Sequence, residues 1–135
     1  MNKWIIFLVL LAVSAVCFWA YAKHRESEDA KLFRTVSPDE FERVVEGDVT
    51  VLDVRTESEY AAGHLGGAVL IDVMASGFID KACSELPQGK TVAVYCRSGH
   101  RSANAARQLV ARGYEVVNLD GGIIAWKKAG KPVLQ

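Results

Sequence analysis

The segment that decides the fold is residues 91–102, whose sequence is Thr-Val-Ala-Val-Tyr-Cys-Arg-Ser-Gly-His-Arg-Ser. Its first five residues are apolar or β-branched, which is typical of a buried strand. Cys96 ends this strand, and a short polar loop then leads into a predicted helix at residues 102–112. A helix N-terminus presents unpaired N–H groups and a partial positive charge, which favour a bound anion and a thiolate. The segment therefore predicts a reactive cysteine beside an anion site.

Short apolar strands alternate with short helices on both sides of this segment. The strands are predicted at residues 32–36, 49–54, 68–73, 91–96 and 115–119. Ser37 and Thr56 are predicted helix N-caps, because a glutamate follows each of them three residues later. Further helices are predicted at residues 78–86, 102–112 and 123–129. This alternation predicts an α/β domain with a five-stranded, mainly parallel sheet that helices cover on both faces.

Ligands of such sheets bind at the carboxyl ends of the strands. Cys96 lies at one of these ends, and Asp53, Arg55 and Asp120 lie at the ends of neighbouring predicted strands. We interpret Asp53 and Arg55 as supports of the cysteine loop rather than as participants in chemistry.

Composition limits the classes of function. The 135 residues are enough for one domain with its own core, and 16 Lys and Arg balance 16 Asp and Glu. This balance gives no electrostatic basis for nucleic-acid binding. The three cysteines suggest neither a disulfide framework nor a zinc site. Cys83 is predicted to be a packing residue, and whether it pairs with Cys96 is left open.

An uncharged, mostly apolar stretch occupies residues 4–22. As a helix it would span about 28 Å, close to the thickness of a bilayer's hydrocarbon core. Trp4, Trp19 and Tyr21 lie near its ends, as in an interfacial aromatic belt. Ala20-Tyr21-Ala22 is also an A-x-A cleavage pattern, so residues 1–22 are predicted to be a membrane anchor or a signal peptide, with the anchor favoured.

Residues 23–31 are charged and are predicted to link this segment to a domain at residues 32–135. The A-x-A pattern favours export, with the domain periplasmic or held at the cell envelope. The positive charges that follow the apolar stretch instead favour a cytoplasm-facing anchor, and this alternative stays open.

The loop residues after Cys96 have distinct predicted roles. Arg97 and Arg101 are expected to contact an anion, and Gly99 is expected to supply a positive φ. His100 is interpreted equally well as a proton donor or as an exposed ring. His64 lies in a glycine-rich turn, where a structural role is favoured over a Cys–His pair.

Four motifs appear in order along the chain: Leu52-Asp53-Val54-Arg55; Glu59-Tyr60 with Gly63-His64-Leu65 and Gly67-Ala68; Tyr95 to Ser102; and Leu119-Asp120-Gly121-Gly122 with Trp126. With them the chain closely resembles the single-domain rhodaneses, the thiosulfate sulfurtransferase-like family, over residues 33–133. The resemblance implies a rhodanese-like three-layer fold.

The resemblance also implies a sulfurtransferase that works through a persulfide on Cys96. The substrate-binding residues would be Arg97, Ser98, Gly99, His100, Arg101 and Ser102, with Asp53 and Arg55 in support. The donor would be thiosulfate or a similar small anion, and the acceptor would be cyanide, a thiol or a protein thiol. No cofactor and no metal are expected, and residues 4–22 would contact a membrane if they are not cleaved.

Loop length separates the alternatives. Related phosphatases of this fold resemble Cys-x5-Arg, whereas Arg101 closes a Cys-x4-Arg loop here. No obvious aspartate is placed to protonate a leaving alcohol, which argues against a phosphatase. Two alternatives remain: an arsenate reductase of the same fold, and a non-catalytic module that carries persulfide or binds partners. The presence of Cys96 disfavours a module that only binds partners.

Overall fold

A five-stranded parallel sheet forms the centre of the chain beyond Lys31 in the computed structural model, which describes residues 2–135. The strands are β1 (Arg34–Val36), β2 (Val49–Asp53), β3 (Val69–Leu70), β4 (Thr91–Tyr95) and β5 (Val116–Leu119). Their order is β1-β5-β4-β2-β3, and the four strand pairs are parallel. The predicted α/β class is confirmed, and the strand that leads to Cys96 lies at the middle of the sheet.

Helices cover both faces of this sheet. They are α2 (Pro38–Val45), α3 (Glu57–Ala61), α4 (Phe78–Glu85), α5 (His100–Ala111) and α6 (Gly122–Lys128). Alternate residues of β4 enter two separate cores. Val92 and Val94 pack in the cluster that contains Leu109 of α5, and Tyr95 packs in the cluster that contains Trp126 of α6. The predicted three layers are therefore present, and Trp126 is a core residue.

The predicted helix starts at Ser37 and Thr56 are confirmed. The Ser37 side chain accepts a hydrogen bond from the Glu40 N–H, with Pro38 at the first helical position. Thr56 and Glu59 form a complete capping box at the start of α3. Each cap satisfies N–H groups that have no partner within the helix.

Most predicted elements differ from the observed ones by one to three residues at an end, and two of these differences have a local cause. The third strand was expected to reach residue 73, but β3 ends at Leu70, because Asp72 turns the chain by accepting the Met74 N–H at 2.8 Å. Helix α5 begins at His100 rather than at Ser102. Gly99 precedes it with φ +110°, and this left-handed turn brings the chain directly from the loop into the helix.

The N-terminal unit is a single helix, α1 (Lys3–Leu32), which continues through the segment predicted as a linker. It is long and apolar enough to cross a membrane, a criterion that a signal sequence would also meet. Arg25 Nη1 donates a hydrogen bond to the Tyr21 hydroxyl at 2.9 Å. The Lys23 ammonium lies 5.4 Å from the centre of the Trp19 ring. Cationic and aromatic side chains are therefore paired where the apolar stretch ends.

Candidate active site

Cys96 lies immediately after β4 and is 1% exposed, within the core that α4 and α5 cover. Its sulfur accepts a hydrogen bond from the Gly99 N–H at 3.0 Å. This contact requires the chain to fold back on itself within three residues, and the positive φ of Gly99 permits that bend. The turn therefore brings a backbone N–H donor directly onto the sulfur.

Helix α6 holds the other side of the loop. The Ile123 N–H donates to the Cys96 carbonyl at 2.9 Å, and the Ile124 N–H donates to the Arg97 carbonyl at 3.2 Å. Gly122 lies directly against these carbonyls. The first turn of α6 therefore fixes the backbone that carries the candidate nucleophile.

A buried network joins the end of β2 to the end of β4. Arg55 is paired with Asp53 through Nη2 at 2.6 Å, and both side chains are at most 5% exposed. The Tyr95 hydroxyl donates to Asp53 at 2.6 Å and accepts the Leu65 N–H at 3.0 Å. Burial and the hydrogen bond to Asp53 both raise the pKa of Tyr95, which keeps the hydroxyl protonated. Asp53 and Arg55 are thus connected to the cysteine loop through Tyr95, the residue that precedes Cys96.

A second charged pair joins α3 to the first turn of α5. Arg101 donates to both carboxylate oxygens of Glu59, at 2.8 and 2.9 Å. Sequence reasoning identified Glu59 as a helix-capping residue and as part of a family motif, but not as a partner of Arg101. No sequence signal indicates the pair, because its members are 42 residues apart and meet only when α3 and α5 pack at the same edge of the sheet.

The remaining loop residues divide between the rim and the interior. Arg97, Ser98 and His100 are exposed, whereas Gly99 and Arg101 are half-buried. Ser102 is fully buried, and its hydroxyl donates to the Gly99 carbonyl at 3.1 Å. Arg97, Ser98 and His100 therefore lie on the solvent side of the loop, while the Ser102 hydroxyl and the Gly99 carbonyl are bonded to each other.

His64 and Cys83, whose functional roles were disfavoured or left open, make contacts of their own. His64 stacks on Tyr60 with ring centres 3.7 Å apart, and its Nδ1 contacts the Tyr60 carbonyl at 2.9 Å. His64 therefore has the structural role that was favoured. Cys83 is half-buried with Arg112 Nη1 3.8 Å from its sulfur, and both Cys83 and Cys96 are free thiols.

Fold and site together define a class of protein, the α/β domains in which a buried cysteine ends the central parallel strand and receives a backbone N–H on its sulfur. A model of the rhodanese-like domain family matches residues 37–129. The chain therefore belongs to the rhodanese family, as its motifs predict.

Relatives agree with this assignment. The chain is 41% identical over 88 residues to a sulfurtransferase from Allochromatium vinosum, across 64% of this chain and 79% of that protein. It is 36% identical over 97 residues to the thiosulfate sulfurtransferase GlpE of Pseudomonas fluorescens, across 70% and 85% of the two chains. A crystal structure of a rhodanese-related protein from Thermoplasma volcanium matches with a TM-score of 0.68 at 29% identity, over 76% of this chain and 98% of that one. Family and relatives support a function of the sulfurtransferase type.

Proposed function

We propose that the protein transfers sulfane sulfur from thiosulfate, or a similar small anionic donor, to a thiophilic acceptor through a persulfide on Cys96. The observation that carries the proposal is the hydrogen bond from the Gly99 N–H to the Cys96 sulfur. It supports a sulfur atom that receives a backbone N–H donor from its own loop, which is a contact that a thiolate and then a persulfide anion can use.

The first half-reaction is a displacement at sulfur. The Cys96 thiolate attacks the outer sulfur of thiosulfate, a bond forms between the two sulfurs, and sulfite leaves with the electron pair of the broken bond. The enzyme then holds the persulfide anion. A second nucleophile, such as cyanide or a thiolate, attacks the outer sulfur and restores the Cys96 thiolate. The scheme is a double displacement with a covalent intermediate.

The loop has groups suited to each species in this scheme. Arg97 and His100 are exposed at the rim, where they meet an arriving anion. Arg101 is half-buried and held by Glu59, so its charge acts from a fixed position. Ser98 is exposed beside them, whereas Gly99 and Ser102 shape the interior that receives the transferred sulfur.

The test measures thiocyanate formation from thiosulfate and cyanide by the full chain in detergent. Wild-type protein is expected to turn over, and Cys96→Ser is expected to lose activity entirely, whereas Cys83→Ser is expected to retain it. Mass spectrometry after thiosulfate alone should add one sulfur to Cys96, which reductant removes. Equal activity in the Cys96→Ser protein would contradict the mechanism, and turnover of a phosphate ester or of arsenate would favour the alternatives of the same fold.

We also propose that residues 1–22 anchor the chain in a membrane, that residues 23–31 link the anchor to the domain at residues 32–135, and that this domain lies outside the cytoplasmic membrane. The pairs Trp19–Lys23 and Tyr21–Arg25 support an interfacial position for the end of the apolar stretch.

A further inference from the structure

Helix α6 exposes one side chain surface next to the cysteine loop. Lys127 and Lys128 follow Ile124 by three and four residues, so the three side chains lie on the same side of the helix. All three are exposed, whereas Trp126 is buried on the opposite side. The Ile124 N–H donates to the Arg97 carbonyl at 3.2 Å. This surface, called the α6 face (Ile124, Lys127 and Lys128), therefore adjoins the loop that carries the candidate nucleophile.

Ile124 is an apolar side chain that the fold does not cover. It is 45% exposed, whereas the preceding Ile123 is 3% exposed and packs in the core with Trp126. The backbone N–H of Ile124 holds the loop, and its side chain is left in solvent. A partner that covers this side chain would remove apolar surface from water, which favours binding.

The lysines of the α6 face are not neutralised by the fold. Within residues 2–135, neither Lys127 nor Lys128 forms an ion pair. Lys131 differs from them, because its ammonium lies 2.9 Å from Asp39 and 3.0 Å from Glu42. The two free ammonium groups therefore leave the α6 face positively charged.

Charge at the boundary with the loop has the same sign. Arg97 is an exposed cation there, and Asp120, which precedes α6, is an exposed acidic residue. Three cations against this carboxylate leave a net positive surface around Ile124. Interfaces bring together surfaces of opposite charge, so the complement of this surface is an acidic one with an apolar side chain at its centre.

We propose that the α6 face docks the sulfur acceptor, and that this acceptor is a protein thiol whose cysteine lies beside an apolar side chain and carboxylates. This inference rests on the proposed persulfide on Cys96. The acceptor thiolate attacks the outer sulfur of the persulfide, and a sulfur–sulfur bond forms on the acceptor. Cys96 leaves as a thiolate with the electron pair of the broken bond. Docking speeds this step because it holds the two reacting groups together.

An anionic membrane surface is the other partner that a cationic face could bind. Basic segments that bind such membranes carry about four to eight Lys and Arg residues. Helices that lie in the membrane interface also present an extended apolar side with Trp, Phe or Leu. The α6 face has two lysines and one isoleucine, with Arg97 beside it. Its composition therefore favours a protein partner.

The binding test uses the full chain in detergent as the Cys96→Ser variant, so that no sulfur is transferred. The probe is a short fluorescent peptide in which leucine and glutamate flank a cysteine on both sides. Its matched peptide has glutamine in place of each glutamate. Fluorescence anisotropy should show that the acidic peptide binds roughly fivefold more tightly, as expected for screened charge contacts with two lysines. Added salt should reduce this preference.

Variants of the α6 face separate its charges from its apolar side chain. The double variant Lys127→Gln/Lys128→Gln should lose the preference for the acidic peptide. Arg43→Gln/Lys81→Gln is the matched control, because it removes two exposed cations from α2 and α4, and it should keep the preference. Ile124→Ser should weaken the binding of both peptides by roughly fivefold, because both contain the leucines.

Three results of these measurements would overturn the proposal. The first is equal binding of the acidic and glutamine peptides to the protein with an intact α6 face. The second is the same preference in the two double variants. The third is an unchanged affinity for both peptides in the Ile124→Ser protein.

The full chain in bilayers of phosphatidylcholine, with or without phosphatidylglycerol, tests the membrane alternative. Acetylation of Lys127 and Lys128, measured by mass spectrometry, should be equal in the two bilayers. Protection of these lysines by the anionic lipid, without a preference for the acidic peptide, would assign the α6 face to the membrane and overturn the proposal.

Binding and sulfur transfer are measured separately, so this inference and the proposed function can fail independently. With Cys96 intact, the Lys127→Gln/Lys128→Gln protein should transfer sulfur to cyanide at the wild-type rate and to the acidic peptide more slowly. If thiosulfate forms no persulfide but the acidic peptide is still preferred, the proposed reaction is wrong and the α6 face remains a docking surface. If both peptides accept sulfur at equal rates, the reaction stands and the docking role is wrong.

Discussion

Gly122 packs directly against the backbone of Cys96. A Cβ added to Gly122 would lie 2.5 Å from the Cys96 carbonyl oxygen, and the residue has φ +60°. The neighbouring Ile123 N–H donates to that same oxygen at 2.9 Å. The first residue of α6 therefore has no side chain because the loop of the candidate nucleophile occupies the space.

Gly122→Ala is expected to displace the loop and to lower both stability and activity. The left-handed backbone alone costs an alanine about 1–2 kcal/mol, and the overlap with backbone atoms adds to this. Chemical unfolding and thiocyanate formation measure the two effects. Gly130→Ala is the matched control, since Gly130 has φ +76° but open space around its Cα. An equal loss of activity in both variants would contradict the role of close packing.

Tyr95→Phe is expected to destabilise the domain by about 2–3 kcal/mol. The change removes a hydrogen bond to the charged Asp53 and leaves the buried Leu65 N–H without its acceptor. Urea unfolding measures the loss. Tyr114→Phe is the control, because its hydroxyl donates only to the Leu86 carbonyl, at 2.9 Å, and should cost about 1 kcal/mol. Similar losses in the two variants would show that the charged network adds little.

The Glu59–Arg101 pair predicts a specific dependence of stability on pH. The hydrogen bond from Arg101 is the main influence that lowers the pKa of Glu59 from 4.5 to about 2. A lowered folded-state pKa contributes stability above the unfolded-state value, and this stability is lost as pH falls between about 4.5 and 2. The free energy of unfolding of wild type should exceed that of Glu59→Gln by about 1–2 kcal/mol at neutral pH, a figure reduced for partial exposure.

Unfolding measurements at pH steps between neutrality and strong acid check this expectation. The difference between wild type and Glu59→Gln should shrink through that window, whereas Glu57→Gln should track wild type throughout. A difference that stays constant with pH would mean that the pair contributes no charge-dependent stability.

Arg97→Gln is expected to raise the KM for thiosulfate roughly fivefold with little change in kcat. Arg97 is exposed at the rim, and one screened charge contact of this kind is worth about 1 kcal/mol. Steady-state kinetics at two salt concentrations measure the effect, which salt should diminish. Arg43→Gln removes another exposed arginine, on α2, and should leave KM unchanged. A fall in kcat alone would place Arg97 in the chemical step instead of anion capture.

An export-dependent reporter fused after Gln135 is expected to be active, because the domain is proposed to lie outside the cytoplasmic membrane. Mass spectrometry of the membrane fraction should find residues 1–22 still attached. Activity of a cytoplasm-dependent reporter alone would reverse the orientation, and cleavage after Ala22 would make the segment a signal peptide.

Local patterns along the chain were sufficient to predict much of the fold and part of the site. Periodicity and β-branched runs predicted five strands. The alternation of strands with helices predicted their parallel arrangement, because a helical crossover lets the next strand run in the same direction. Ser37 and Thr56 predicted helix starts, since a cap acts on N–H groups only three residues away. Cys96 and Gly99 were identifiable for the same reason, as their contact spans three residues.

Only the tertiary structure decided which contacts form between residues that are distant in the sequence. Arg101 was expected to contact an anion, yet its fork is bonded to Glu59, 42 residues earlier in the chain. Gly122 meets the Cys96 carbonyl only because α6 returns to the end of β4. Local sequence determines the conformations that a segment prefers, whereas charge pairing and close packing depend on distances that exist only once the elements have assembled. The candidate nucleophile can therefore be identified from the sequence of this protein, and the groups that hold it in place cannot.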